Sequence, residues 1–201
     1  MKVGILALQG DVREHALVLA ELGTHVVEVR SPEDLAGIDA LVLPGGESTT
    51  LSMLVESSGL IGPIAERLSE NMPALGTCAG LILLSAGIID GRGDEHCFGA
   101  VDIHVRRNAF GRQLESFECE LRVNGVPGGP MPAVFIRAPV VQAVAPTVEV
   151  LATLPGRGAD QGDLVVACRQ GAVLVTAFHP ELSGDLRIHE LFLSTIEERG
   201  G

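Results

Sequence analysis

Three short runs without a charged residue, Val3–Leu8, Ala40–Leu43 and Pro73–Thr77, each stop at a turn containing glycine. Runs of this length that lack polar alternation fit strands buried on both faces, the usual state of a parallel sheet covered by helices. The segments between them agree. Asp11 with Glu14 resembles a capping box, and Val12, His15, Ala16 and Leu19 follow at helical spacing. Gly23 stops that helix, and His25–Val29 reads as the next strand. After Pro44-Gly45-Gly46, Leu51, Leu54 and Val55 share one helical face, and Pro63 opens a second short helix with Ile64, Ala65 and Leu68 inward. Strands that alternate with helices in this way predict a mainly parallel sheet.

The texture changes after about residue 96. Val101–Val105, Phe117–Val123, Ala133–Ile136, Val148–Leu154, Leu164–Cys168 and Val173–Phe178 read as strands separated by Gly, Pro and Asn turns, which predicts antiparallel pairing. A last amphipathic helix carries Ile188, Leu191, Phe192 and Thr195. Residues 155–162 form a surface loop in this reading. Neither that loop nor Gly128-Gly129-Pro130 leaves a flank large enough for its own core, so one α/β domain over residues 1–201 is expected.

Charge narrows the function classes. Fourteen Lys and Arg against twenty-six Asp and Glu give a net charge of −12, and Lys2 is the single lysine. Nucleic acid and anionic membrane surfaces need a basic footprint, so neither is an expected partner. The sequence has no apolar run long enough for a membrane span, and its first residues reach Gln9-Gly10-Asp11 too early for a signal-peptide core. Cys78, Cys97, Cys119 and Cys168 lie far apart with no C-x-x-C pair or zinc spacing. Free thiols, no metal and a cytoplasmic setting follow as expectations.

Gly76-Thr77-Cys78-Ala79-Gly80 has the spacing of a nucleophile elbow between strand and helix. The glycines suit a tight turn, and a cysteine at a helix N-terminus has its thiolate favoured by the helix dipole. The pentapeptide alone fits a buried, inert cysteine equally well. A nucleophile needs a base and the base an orienter. In Phe178-His179-Pro180-Glu181, just past a predicted strand, extended geometry around Pro180 lets Glu181 reach the imidazole of His179. His15, His25, His96, His104 and His189 lack such a setting and read as surface or helix-face residues. Pro44-Gly45-Gly46-Glu47-Ser48 is the third element. It is either a plain turn with Ser48 or Thr49 as N-cap, or a source of backbone N–H groups that form an oxyanion hole with Ala79.

Pro-Gly-Gly-Glu-Ser, Gly-Thr-Cys-Ala-Gly and His-Pro-Glu in this order resemble the class I (triad-type) glutamine amidotransferases. The blocks Leu8–Asp11, Gly46–Thr50, Arg107–Gln113, Phe135–Pro139 and His179–Leu182 are similar to the glutaminase subunits of pyridoxal 5′-phosphate synthases. That resemblance implies a three-layer α/β/α, flavodoxin-like fold with a mixed, mainly parallel central sheet. It implies a catalytic triad of Cys78, His179 and Glu181 acting on L-glutamine, with oxyanion donors at Gly46 and Ala79. Substrate contacts fall on Gly46, Glu47, Ser48, Arg107, Ile136 and Arg137, with Arg107 rather than its neighbour Arg106 in register with Asn108 and Phe110. The expected partner is a (β/α)₈-barrel synthase that takes the ammonia within a hetero-oligomer, and no cofactor is required. Competing readings are the glutaminase of an imidazole-glycerol-phosphate type synthase, a γ-glutamyl hydrolase or cysteine peptidase on a related scaffold, and a regulatory subunit with a triad-like site.

Overall fold

A computed structural model of the protein describes residues 1–91, 95–107, 116–156 and 162–200, with residues 198–200 described for their backbone alone. The strands are β1 (Lys2–Leu6), β2 (His25–Val29), β3 (Ala40–Leu43), β4 (Ala74–Thr77), β5 (Ser85–Ile88) and β6 (Val101–Arg106), then β7 (Ser116–Leu121), β8 (Met131–Ile136), β9 (Val140–Val144), β10 (Glu149–Leu154), β11 (Leu164–Gln170) and β12 (Val173–Thr176). The α-helices are α1 (Val12–Glu21), α2 (Ser48–Ser57), α3 (Ile61–Ser69), α4 (Ala79–Leu84) and α5 (Arg187–Gly200).

Nine strands run in the order β2-β1-β3-β4-β12-β11-β9-β6-β5, with β10 added on β11, to make a ten-stranded sheet. Pairing is parallel from β2 to β12, where the uninterrupted apolar runs lie. It turns antiparallel at β11 and β9, and β5 returns parallel to β6. The sheet is mixed and mainly parallel in an α/β fold, as expected. β7 and β8 form a separate antiparallel hairpin. Phe135 of that hairpin lies 5.6 Å from Phe178, centroid to centroid, and both are buried, so the hairpin is seated on the chain just after β12.

Boundaries differ from the expected ones for local reasons. β1 ends at Leu6 because the chain must turn towards Gly10, which lies against the Gly45 carbonyl. β5 and β9 are absent from the sequence reading: Ser85–Ile88 follows α4 without a turn residue, and Val140–Val144 follows Pro139 without alternation. α3 starts at Ile61, two residues before Pro63, and Ala65 faces solvent. The capping box at Asp11 and Glu14 does not form, because the Asp11 carboxylate is turned to His179. Nor do Ser48 or Thr49 cap α2. Glu47 is its N-cap, accepting from the Thr49 and Thr50 N–H groups at 3.2 and 2.7 Å. Of the expected loop, residues 157–161 lie outside the described residues.

The buried apolar residues join into one cluster that includes Leu43, Leu75, Leu81, Phe135, Phe178 and Phe192, and each fully buried side chain of this size contributes about 1.5–3 kcal/mol. Packing is close where α4 meets β3. A Cβ at Gly80 would collide with the Leu43 carbonyl, a backbone group that cannot swing aside. Gly80→Ala should therefore destabilise the fold by about 1–3 kcal/mol, read from urea unfolding midpoints. An unchanged midpoint would mean that α4 can slide away from β3.

Candidate active site

Because β1, β3, β4 and β12 are consecutive parallel neighbours, their carboxyl ends open on one edge of the sheet. Asp11, Gly45-Gly46, Cys78 and His179 leave from those four ends in the same order. Open α/β sheets bind ligands at such edges. The register is explicit: Leu43 pairs with Gly76, and Thr176 with Thr77, so Cys78 and His179 follow a level pair of strand ends. The Cys78 N–H donates to the Thr176 carbonyl at 2.8 Å, tying the elbow to β12.

Cys78 sits directly before α4 with φ 49° and ψ −100°, a left-handed backbone that costs a side-chain-bearing residue on the order of 1–3 kcal/mol. Its side chain is 7% exposed and its thiol donates to the Ile136 carbonyl at 3.9 Å. Arg137, the next residue, also has positive φ, at 44°. Two strained residues thus face one cleft.

His179 is buried, and its Nδ1 lies 2.7 Å from Glu181 Oε1 and 3.2 Å from Asp11 Oδ2. Burial opposes a charge on the ring, but hydrogen bonds with Asp11, Cys78 and Glu181 outweigh it and push the imidazole pKa well above its ordinary value of 6.5. Burial pushes the Glu181 carboxyl up, against the pull of His179. With a 2.7 Å contact and a second carboxylate beside it, the proton belongs on the imidazole. Asp11, His179 and Glu181 also offer three ligand atoms within 4.8 Å of one another. Hydrogen-bond distances from one Nδ1–H to both carboxylates make that cluster a proton-holding site rather than a metal cradle. A side chain at Gly45 would strike the His179 ring, so the glycine allows the close approach of the two loops.

The cleft above these groups has a volume of about 300 Å³. Its lining brings together Cys78, His179, Ala79, Gly46, Glu47 and Ser48 with Arg107, Ile136 and Arg137 from the other half of the chain. Glu181 lies behind His179, out of the lining. Arg107 is held by Glu95 Oε1 at 2.5 Å, by Thr49 Oγ1 at 3.2 Å and by Asp90. Arg106 is exposed at the end of β6, and the Asn108–Gln113 segment lies outside the described residues. Gln9, Asp11, Ile82 and Pro139 line the cleft as well, and sequence reasoning gives them no role there. For Asp11, its place after the first apolar run was the available signal. Cys97, Cys119 and Cys168 are free thiols, and burial pushes the Cys168 thiol up to about 12.

Such an arrangement, a strained cysteine beside an imidazole that is oriented by a carboxylate, suits covalent attack on an acyl carbon. The model of the SNO glutamine amidotransferase family matches residues 5–198. The chain belongs to that family. Among curated proteins, the pyridoxal 5′-phosphate synthase subunit PdxT of Rhodococcus jostii is 53% identical over 194 residues, 96% of each chain. PdxT of Acidothermus cellulolyticus is 52% identical, covering 97% of this chain and 93% of its own. A crystal structure of a glutamine amidotransferase superposes with a TM-score of 0.88 at 46% identity, covering 97% and 98% of the two chains. PurLQS from Thermotoga maritima, 16% identical with a TM-score of 0.64 over 100% of this chain and 98% of its own, shares the fold. Among the described residues, no helix is long and apolar enough to cross a membrane.

In this amidotransferase two histidines expected on the surface or a helix face are fully buried: His15 on α1 and His189 on α5. The helical period does not separate them from solvent-facing polar residues. Burial pulls the His189 pKa down to about 4, and burial, then His189 and His179, pulls His15 well below 6.5. Both rings are therefore neutral in the fold and protonate on unfolding below about pH 6.5. Their contribution is complete above that pH and is lost as pH falls towards the folded values. From about pH 7 to about pH 5 each ring should cost about 2 kcal/mol of stability, with the charged His179 offsetting about one of the two, and His189→Leu should flatten the slope of urea midpoint against pH. The same slope in the variant would show that His189 is not held neutral.

Proposed function

We propose that this chain is the glutaminase subunit of a cytoplasmic pyridoxal 5′-phosphate synthase, one domain over residues 1–201, which hydrolyses L-glutamine and passes ammonia to a (β/α)₈-barrel synthase subunit in a hetero-oligomer. The observation that carries it is Cys78 beside His179 in the lining of a cleft, with Glu181 behind the imidazole, in a chain about half identical to PdxT proteins along its length.

Chemistry follows from the groups present. With its proton taken by His179, the Cys78 sulfur attacks the side-chain amide carbon and forms a C–S bond, and the electron pair of the carbonyl moves onto oxygen. Backbone N–H groups at Gly46 and Ala79 stabilise that oxyanion. His179 returns the proton to the nitrogen as the C–N bond breaks, and ammonia leaves. Water, deprotonated by the same imidazole, attacks the thioester, and collapse frees glutamate and the thiol. Glu181 orients the ring and stabilises its charged form throughout. Glu47, Ser48, Ile136 and Arg137 contact the amino-acid end of glutamine, and the Arg107 guanidinium pairs with its α-carboxylate. No step calls for a metal or cofactor.

Ammonia and glutamate release from L-glutamine, measured with and without the pyridoxal 5′-phosphate synthase partner, tests the reading. Release should rise with the partner and fall to background in Cys78→Ala, since no other nucleophile can form the thioester. Arg107→Ala should raise KM for glutamine about ten-fold or more with a smaller effect on kcat. Transfer of ammonia only to a different synthase, or steady peptide or γ-glutamyl cleavage without a partner, would overturn it.

A further inference from the structure

Behind the His179–Glu181 pair lies a second chain of buried polar groups that the mechanism above does not use. Glu181 Oε1 is taken by His179, while Oε2 makes no hydrogen bond of good geometry among the described residues and lies 3.4 Å from His15 Nε2. The same His15 Nε2 lies 3.2 Å from Thr77 Oγ1, on the residue before Cys78. On its other side, His15 Nδ1 lies 2.9 Å from His189 Nε2. All four side chains are on different elements: α1, β4, the turn after β12, and α5.

The proton positions follow from the neighbours. One proton is shared between His15 Nδ1 and His189 Nε2. Were it on His15, a bare lone pair at His15 Nε2 would face the Glu181 carboxylate, and His189 would carry its other proton on Nδ1, a buried atom without a hydrogen-bond partner among the described residues. A buried N–H without an acceptor and a lone pair against an anion are both costly. With the proton on His189 Nε2, His15 becomes the Nε2–H tautomer, and that N–H donates to Thr77 Oγ1 at 3.2 Å with Glu181 Oε2 facing it at 3.4 Å. The groups facing His15 are His189, His179, Glu181 and Thr77. Two of them are imidazoles, so a neutral ring that donates is favoured over a second cation competing with His179 for one carboxylate.

We infer that His15 is a positioning residue for the amide hydrolysis: its Nε2–H, bonded to Thr77 Oγ1 and facing the outer oxygen of Glu181, steadies that oxygen by the attraction of the N–H dipole, with His189 fixing its tautomer, so that Glu181 Oε1 stays aimed at His179. The inference rests on the glutaminase reading above. It extends the line from Cys78 through His179 and Glu181 to His15 and His189, and it links the carboxylate to the strand that carries the nucleophile.

His15→Leu keeps an apolar filler and removes the donor, whereas the amide nitrogen of His15→Gln can stand where Nε2 stands. With the synthase partner present, His15→Leu should lower kcat about ten-fold, the weight of a donor dipole lost from beside a buried carboxylate, with KM for glutamine changed less than about two-fold. His15→Gln should recover most of the rate. In proton NMR the His179 Nδ1–H of the unaltered protein should resonate far downfield, shift or broaden in His15→Leu, and return in His15→Gln. Equal losses in both variants, or an unmoved resonance in His15→Leu, would overturn the inference and leave His15 a packing residue. If His15→Leu does not fold, His15→Gln against His15→Asn decides, because asparagine is one methylene shorter and should not hold Oε2; equal rates would count against the inference. Should the unaltered protein release no ammonia, the glutaminase reading fails by itself, and the NMR comparison still reports on His15.

Discussion

Parallel pairing of β4 with β3 on one side and β12 on the other brings strand ends level, and everything at the cleft depends on that register. Leu43 opposite Gly76 and Thr176 opposite Thr77 mean that the turn after each strand leaves from one edge. A slip of one residue would send each of those turns to the opposite face. The strained backbone at Cys78 is tolerable because its surroundings over-determine it. The Cys78 N–H is bound to Thr176, and Gly80 is packed on the Leu43 carbonyl. Strain of this kind persists only where neighbouring structure enforces it.

Electrostatics set the second constraint. Burial strips a carboxylate of water, so a buried one needs a local cation or donor. Glu181 has a cation on one oxygen, the His179 ring, which Asp11 also faces. A second charged imidazole at His15 would compete with His179 for Glu181 and would itself be desolvated. Keeping His15 and His189 neutral by burial leaves Glu181 Oε2 facing a ring 3.4 Å away that carries no rival charge. The same burial makes these rings a source of acid lability, so the order behind the site and the loss of stability at low pH have one origin.

Much of this was legible in the sequence, for identifiable reasons. Val3–Leu8, Ala40–Leu43 and Pro73–Thr77 lack charged residues and stop at turns containing glycine, His25–Val29 follows Gly23, and together they form β1 to β4 with shifts of at most two residues. His-x-Glu and the elbow around Cys78 are local patterns, and local geometry suffices to place them. Asp11 reads wrongly as a cap because Asp before an apolar periodic stretch is the ordinary signature of one, and only the tertiary position of His179 turns it away. His15 and His189 mislead because a helix face says which residues point together, not whether that face meets solvent or another helix. Their 2.9 Å contact joins residues 174 positions apart, a separation no window on the sequence can see. β5 and β9 lack turn residues and alternation, the two signals by which short strands are found.

The site is assembled from both halves of the chain, and the two halves contribute different things. The parallel half supplies the Cys78 sulfur and the glycine-rich turn, on strands whose register leaves little freedom. The antiparallel half supplies a wall: Arg107 after β6, and Ile136-Arg137 at the end of β8. His179 belongs to both, because it follows β12 while its N–H donates to the Val134 carbonyl of β8 at 2.8 Å. The Ile136 carbonyl, two residues along the same strand, accepts from the Cys78 thiol. A displacement of the β7–β8 hairpin would therefore disturb His179, Cys78 and the Ile136-Arg137 side of the cleft together. Stacking of Phe117 on Phe135 at 4.7 Å, and of Phe135 against Phe178, opposes such a displacement with buried aromatic contact. The hairpin that looks peripheral in the strand order is thereby the element that couples the wall of the cleft to Cys78 and His179.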